Sequence, residues 1–142
     1  MIEFIVPGQP VAKGRPRFAR RGKGVVAYTP AKTAAYEALV REAATVAMSG
    51  RPPAAGPLKL VLSLTLQVPL TWSKKRRALA IDGHIRATKK PDADNVLKGL
   101  KDGCNGIVWI DDAQVVCIEL TKAYGSQPHA AVRILEVPGE AA

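Results

Sequence analysis

The chain has 142 residues, 47% of them apolar, enough for one domain with a real core and too apolar for a disordered tail. Lys and Arg number 21 against 12 Asp and Glu, a formal charge of +9 that points to a polyanionic partner. No apolar run approaches the roughly 18 residues of a membrane helix: the longest, Leu58 to Leu70, is interrupted by Lys59, Ser63, Thr65 and Gln67. The opening Met1 to Val6 has no basic region before its apolar residues, so no signal peptide is expected and the protein is expected in the cytoplasm. Cys104 and Cys117 are too few for a disulfide scaffold and lack partners spaced for zinc, so both are expected as half-buried thiols.

In chain order, Ile2 to Val6 reads as a strand ended by the Pro7-Gly8-Gln9-Pro10 turn. Val11 to Lys23 is a basic loop able to form an irregular hairpin with Val25 to Tyr28. Thr29-Pro30 opens a helix over Ala31 to Met48, with Tyr36, Leu39, Val40, Ala43 and Ala47 as its apolar stripe and a Glu37–Arg41 pair on its wet face. The Gly- and Pro-rich stretch 50–57 is a connector too short to divide domains. Leu60, Leu62, Leu64, Leu66 and Val68 then alternate as a strand. Short helices are expected over Ser73 to Ile81 and Asp94 to Gly103, and strands over Val108 to Ile110, Val115 to Thr121 and Ala130 to Leu135. Without regular βαβ alternation, the expected class is α+β: a single compact domain over 1–137 with a mixed sheet and two or three helices, followed by a short tail at 138–142.

Charge is clustered. One basic group comprises Lys13, Arg15, Arg17, Arg20, Arg21 and Lys23; a second comprises Lys74, Lys75, Arg76, Arg77, Arg86, Lys89 and Lys90. Between and beyond them, Asp92, Asp94, Asp102, Asp111 and Asp112 place five of the chain's 12 acids within 21 residues. If Pro91 holds its entry extended, Asp92 and Asp94 point the same way, and Lys98 lies one helical turn beyond Asp94. A turn at Asp111-Asp112 can bring that pair alongside. Crowded carboxylates repel each other and phosphate unless a hard cation such as Mg²⁺ bridges them, and a neighbouring lysine then suits phosphoryl chemistry. A DxD pair also occurs in calcium loops, nucleotide-sugar enzymes and helix caps, although Val96 and Leu97 break any EF-hand pattern. On spacing and charge, a metal-dependent nuclease and a non-catalytic nucleic-acid binder both remain open.

The combined string Asp92-x-Asp94-Asn95-x-x-Lys98, followed by Trp109-Ile110-Asp111-Asp112-Ala113-Gln114-Val115, resembles the signature of RusA-type Holliday junction resolvases. Pro7-Gly8-Gln9-Pro10-Val11-Ala12-Lys13-Gly14-Arg15-Pro16-Arg17 is similar to the opening of phage-borne members. The resemblance implies a homodimeric nuclease that binds four-way junctions and cuts two strands symmetrically, with Mg²⁺ as cofactor (Mn²⁺ able to substitute) and no nucleotide cofactor. It implies Asp92, Asp94 and Asp112 as metal-binding carboxylates, Asp111 as a supporting acid and Lys98 as the catalytic lysine. Lys13, Arg15, Arg17, Arg20, Arg21, Lys74, Lys75, Arg76, Arg77, Lys89 and Lys90 are the expected DNA contacts, read from charge. Flaps or forks are the alternative substrates. Trp109, Tyr28, Tyr36 and Phe18 are all expected in the core rather than on a base.

Overall fold

A computed structural model of the chain describes residues 1–28 and 30–142; Thr29, expected to help open the first helix, lies outside the described residues. The order is β1 (Ile2–Pro7), β2 (Arg17–Arg21), β3 (Gly24–Tyr28), α1 (Ala31–Met48), β4 (Leu58–Gln67), α2 (Lys74–Ile81), α3 (Ala93–Cys104), a 3₁₀ turn (Asp112–Gln114), β5 (Val115–Gly125) and β6 (His129–Glu136). Four strands form a mixed sheet in the order β1-β6-β4-β5, with β4 and β5 parallel and the other pairs antiparallel. β2 and β3 form a separate two-stranded hairpin. This is the expected α+β architecture, with three α-helices among the described residues.

The alternation of β4 decides the layering. Leu58, Leu60, Leu62, Leu64 and Leu66 are all buried on one side, and each stabilises the fold by about 1.5–3 kcal/mol. Phe4 and Val6 of β1 and Ala130, Val132 and Ile134 of β6 share this core with α1 and α3. The opposite face stays wet and carries cross-strand ion pairs, Glu3–Arg133 at 3.1 Å and Lys59–Glu119 at 2.8 Å.

α1 buries Thr33, Tyr36, Val40, Ala44 and Met48 at i,i+3 and i,i+4 spacings; of the expected stripe, Tyr36 and Val40 are buried, Ala43 and Ala47 pack partly buried beside them, and Leu39 is 41% exposed. Glu37 and Arg41 do not pair: Glu37 takes a bond from Lys13, and Arg41 reaches the Gly103 carbonyl. α3 approaches α1 so closely at Gly103 that a Cβ there would meet Val40 Cγ1 at 2.6 Å.

Val108 to Ile110 is a turn rather than a strand. After α3 the chain reverses through Gly106 (φ 80°), and Trp109 makes only isolated bridges to Ala54 and Asn105. Burial of Val108 and Trp109 explains the apolar run, which packs without belonging to the sheet. Of the aromatics expected inside, Trp109 and Tyr36 are buried, whereas Phe18 and Tyr28 lie 71% and 47% exposed on the hairpin. Among the described residues the hairpin pairs only with itself and so offers no core to receive them. Cys104 is fully buried, which pushes its thiol pKa up to about 12, while Cys117 is exposed; neither is half-buried.

Candidate active site

Helix α3 has two faces. Val96, Gly99, Leu100, Gly103 and Cys104 face the core. Asp94, Leu97, Lys98, Lys101 and Asp102, at i, i+3, i+4, i+7 and i+8, line one cavity together with Asp112. Asp94 in the first turn also lies where the helix dipole favours a negative charge.

Asp111 and Asp112 are adjacent but used differently. Asp111 caps the 3₁₀ turn, accepting from the Ala113 N–H at 3.0 Å, while Gln114 Oε1 accepts from the backbone N–H groups of Ile110 and Asp111, both at 2.9 Å. The Ala113 N–H, followed by Asp112 beside it, holds the Asp111 carboxyl below the usual range. Gln114 Nε2 ties the turn to the connector before β4, donating to the Ala54 and Gly56 carbonyls at 2.8 and 3.0 Å. With Asp111 committed to the cap, the half-buried Asp112 is the one that faces Asp94 and Lys98 across the cavity.

Asp92 and Asp94 do not share a face. Asp92 is the extended N-cap of α3 (φ −69°, ψ 132°), and the chain turns helical at Ala93, which ends the two-residue alternation. Asp92 accepts weakly from Asn95 Nδ2 at 3.5 Å and lines a separate cavity with Gln9, Lys32, Lys90 and Asn95. Both cavities border the first turn of α3. The Lys90–Pro91 peptide before it is cis, and Lys122 on β5 donates to the Lys89 and Pro91 carbonyls.

Lys13 reaches the same helix from the N-terminal loop. Its backbone N–H donates to the Asn95 carbonyl at 3.0 Å, and its ammonium bonds Asp102 and, at 3.0 Å, Glu37. Asp102 is the main reason its pKa is raised, with burial opposing and Glu37 assisting. Lys13 therefore spends its charge on carboxylates and joins the loop to α1 and α3.

The family model described as endodeoxyribonuclease RusA matches residues 7–135, almost the whole of this fold. The chain belongs to the RusA family. It is also 39% identical, over 140 residues and 96% of each chain, to a Bacillus subtilis (strain 168) protein titled "Uncharacterized protein YqaN". RusA membership places the protein among the endodeoxyribonucleases, which are hydrolases; RusA-family nucleases act on branched DNA and generally depend on a divalent metal.

Among the described residues, no three His, Cys, Asp or Glu side chains are grouped so as to hold a metal. The donors still suit the cation implied by RusA membership. Asp94 and Asp112 offer carboxylate oxygens to one open cavity, and Mg²⁺ is commonly held by one or two carboxylates with waters and substrate phosphate completing its shell.

The expected DNA contacts are mostly exposed, and one of them, Lys90, lines the Asp92 cavity. Arg15, Arg17, Arg20 and Arg21 are exposed, the latter three on β2. Lys74, Lys75 and Arg76 are exposed on α2, and Arg77 is half-buried. Arg76 stacks its guanidinium 4.3 Å over Trp72, whose ring meets Tyr124 edge-on at 5.5 Å between centroids. Lys89 and Lys90 are exposed on the loop before Asp92. Sequence reading missed Lys32, which borders both the Arg15–Arg17 cavity and the Asp92 cavity, and Lys101, which lines the Asp94 cavity. Periodicity along α3 carries the signal for Lys101; only the tertiary fold brings Lys32 in.

Proposed function

We propose that this RusA-family protein is a Mg²⁺-dependent Holliday junction resolvase, with Mn²⁺ able to substitute. The observation that carries the reading is the single cavity in which Asp94 and Lys98 of α3 meet Asp112 of the 3₁₀ turn. Asp94 and Asp112 would hold the metal, with Asp92 completing the carboxylate set from the neighbouring cavity. When bound, the metal supplies a polarised phosphoryl oxygen and a bound water of lowered pKa. Lys98 holds the scissile phosphate and balances the negative charge that grows on its oxygens. Asp111 and Gln114 keep the Asp112 backbone in place without contacting DNA.

Arg15, Arg17, Arg20 and Arg21, together with Lys74, Lys75, Arg76, Arg77, Lys89 and Lys90, neutralise backbone phosphates of the junction arms. Lys13 supports that surface as a tether. A junction has near-twofold symmetry, so a homodimer presents two equivalent sites to opposed strands. Residues 1–137 act as the nuclease domain, in the cytoplasm, with no nucleotide cofactor.

The test is cleavage of a synthetic four-way junction, a flap, a fork and linear duplex, in Mg²⁺ or EDTA. Paired symmetric nicks in the junction, with Mg²⁺ only, are the expected result. Preferential cutting of flaps or forks would replace the substrate, and tight junction binding without cutting in any divalent metal would make the protein a non-catalytic binder.

A further inference from the structure

Asp92 is the N-cap of α3, its carbonyl accepting from the Val96 N–H at 3.1 Å, and what holds the irregular chain before it is a side chain from a distant strand. Lys122 Nζ donates to the Lys89 carbonyl at 2.8 Å and to the Pro91 carbonyl at 3.1 Å. Lys122 lies on β5 opposite buried Leu64 of β4, on the side of the sheet that faces the helices. It is half-buried, and among the described residues its ammonium has no carboxylate partner. An apolar side chain would pack on this strand as well as the lysine stem does. The ammonium adds two charge-assisted hydrogen bonds to carbonyls that otherwise have no regular partner.

The Pro91 carbonyl belongs to the peptide that leads into Asp92. A peptide unit is planar, so holding that oxygen restrains the plane containing the Asp92 N–H and Cα; with φ at −69° where the chain enters α3, the Cα–Cβ bond of Asp92 then leaves the chain in a defined direction. Asp94 needs no such device, because a helix packed on the core carries it. Asp92, the member of the set outside the Asp94–Asp112 cavity, does.

We infer that Lys122 is a positioning residue for Asp92, acting through the Pro91 and Lys89 carbonyls. The inference rests on the reading of Asp92 as a metal-binding carboxylate. Groups that orient a ligand from behind typically alter metal affinity or activity by about 10–100-fold when removed.

Three variants of the full chain test it: Lys122→Met, which keeps the apolar stem, Lys122→Arg, which keeps cationic donors, and Asp92→Asn. Amide hydrogen exchange of the free protein, Mn²⁺ titration without DNA, single-turnover junction cleavage and junction affinity in EDTA are measured on each. In Lys122→Met, exchange at residues 88–92 should speed up and Mn²⁺ affinity should fall by about 10-fold or more. Cleavage should require correspondingly more metal, junction affinity in EDTA should hold, and Lys122→Arg should recover most of the loss. If Lys122→Met unfolds, Lys122→Gln, which retains an amide donor, takes its place and should show a smaller loss of Mn²⁺ affinity relative to the wild type. Normal Mn²⁺ binding in Lys122→Met (or in Lys122→Gln, where that variant takes its place), beside a defect in Asp92→Asn, overturns the inference and leaves the nuclease reading intact. Normal Mn²⁺ binding in Asp92→Asn overturns it through its premise, and weakened junction affinity in EDTA would make Lys122 a phosphate contact instead.

Discussion

Helix α3 and the β2–β3 hairpin carry the two charges on which the proposed function rests, and they are held in opposite ways. α3 buries Val96, Gly99, Leu100, Gly103 and Cys104 against the core, and its start is bonded by Lys13 from the N-terminal loop. Every residue of the two hairpin strands is exposed, and among the described residues they pair only with each other. Carboxylates that share a metal need fixed positions, which a packed helix supplies. Phosphate neutralisation acts over a Debye length of about 8–10 Å and tolerates a looser support.

The sharpest way to break this contrast lies in the acid cavity. Asp94→Asn and Asp112→Asn should each reduce junction cleavage to background in single-turnover assays, while junction affinity in EDTA holds or rises because a negative charge near phosphate is gone. Asp111→Asn should cut nearly normally, because an asparagine oxygen still accepts the Ala113 N–H. Loss of cutting in Asp111→Asn with normal cutting in Asp112→Asn would exchange the two roles.

Lys98→Met should lower the cleavage rate by about 10²–10³-fold at saturating metal, the scale of removing one donor to a developing oxyanion. A change confined to junction affinity would instead make it a binding residue.

On the hairpin side, Arg17, Arg20 and Arg21 replaced by Ala should leave thermal stability unchanged and weaken junction binding. The salt slope should flatten by roughly 0.9 for each phosphate that is no longer neutralised. Lys13→Met sharpens the comparison, because its ammonium is already matched by Asp102 and Glu37; it should lower stability and leave the salt slope alone.

The smallest effect concerns support rather than chemistry. Gly103→Ala should cost about 1–3 kcal/mol in denaturant unfolding, because the added methyl must displace Val40, while junction affinity in EDTA stays normal. No loss of stability would mean that α3 has room to move and that its fixed position is not what the acid cavity depends on.

What the sequence by itself determined is whatever backbone periodicity dictates. The leucine alternation of β4, the α1 span, the hairpin partners and the placement of Asp94 and Lys98 on one helical face follow from spacings of two, three or four residues. The motif spacing also carried the family. Only the tertiary structure decided which neighbours those residues meet. It assigned Asp111 to a cap and Asp112 to the cavity through Gln114, which reaches connector residues 58 and 60 positions away. It parted Asp92 from Asp94 at the point where the chain turns helical, and it exposed Phe18 and Tyr28 by giving the hairpin no core. Two lysines that look alike in the sequence were sent to different partners, Lys13 to a carboxylate 89 residues away and Lys122 to a carbonyl 31 residues away. Local geometry sets the face a residue occupies; the choice of partner is made through space, by burial and charge between segments whose separation in the chain carries no trace of it.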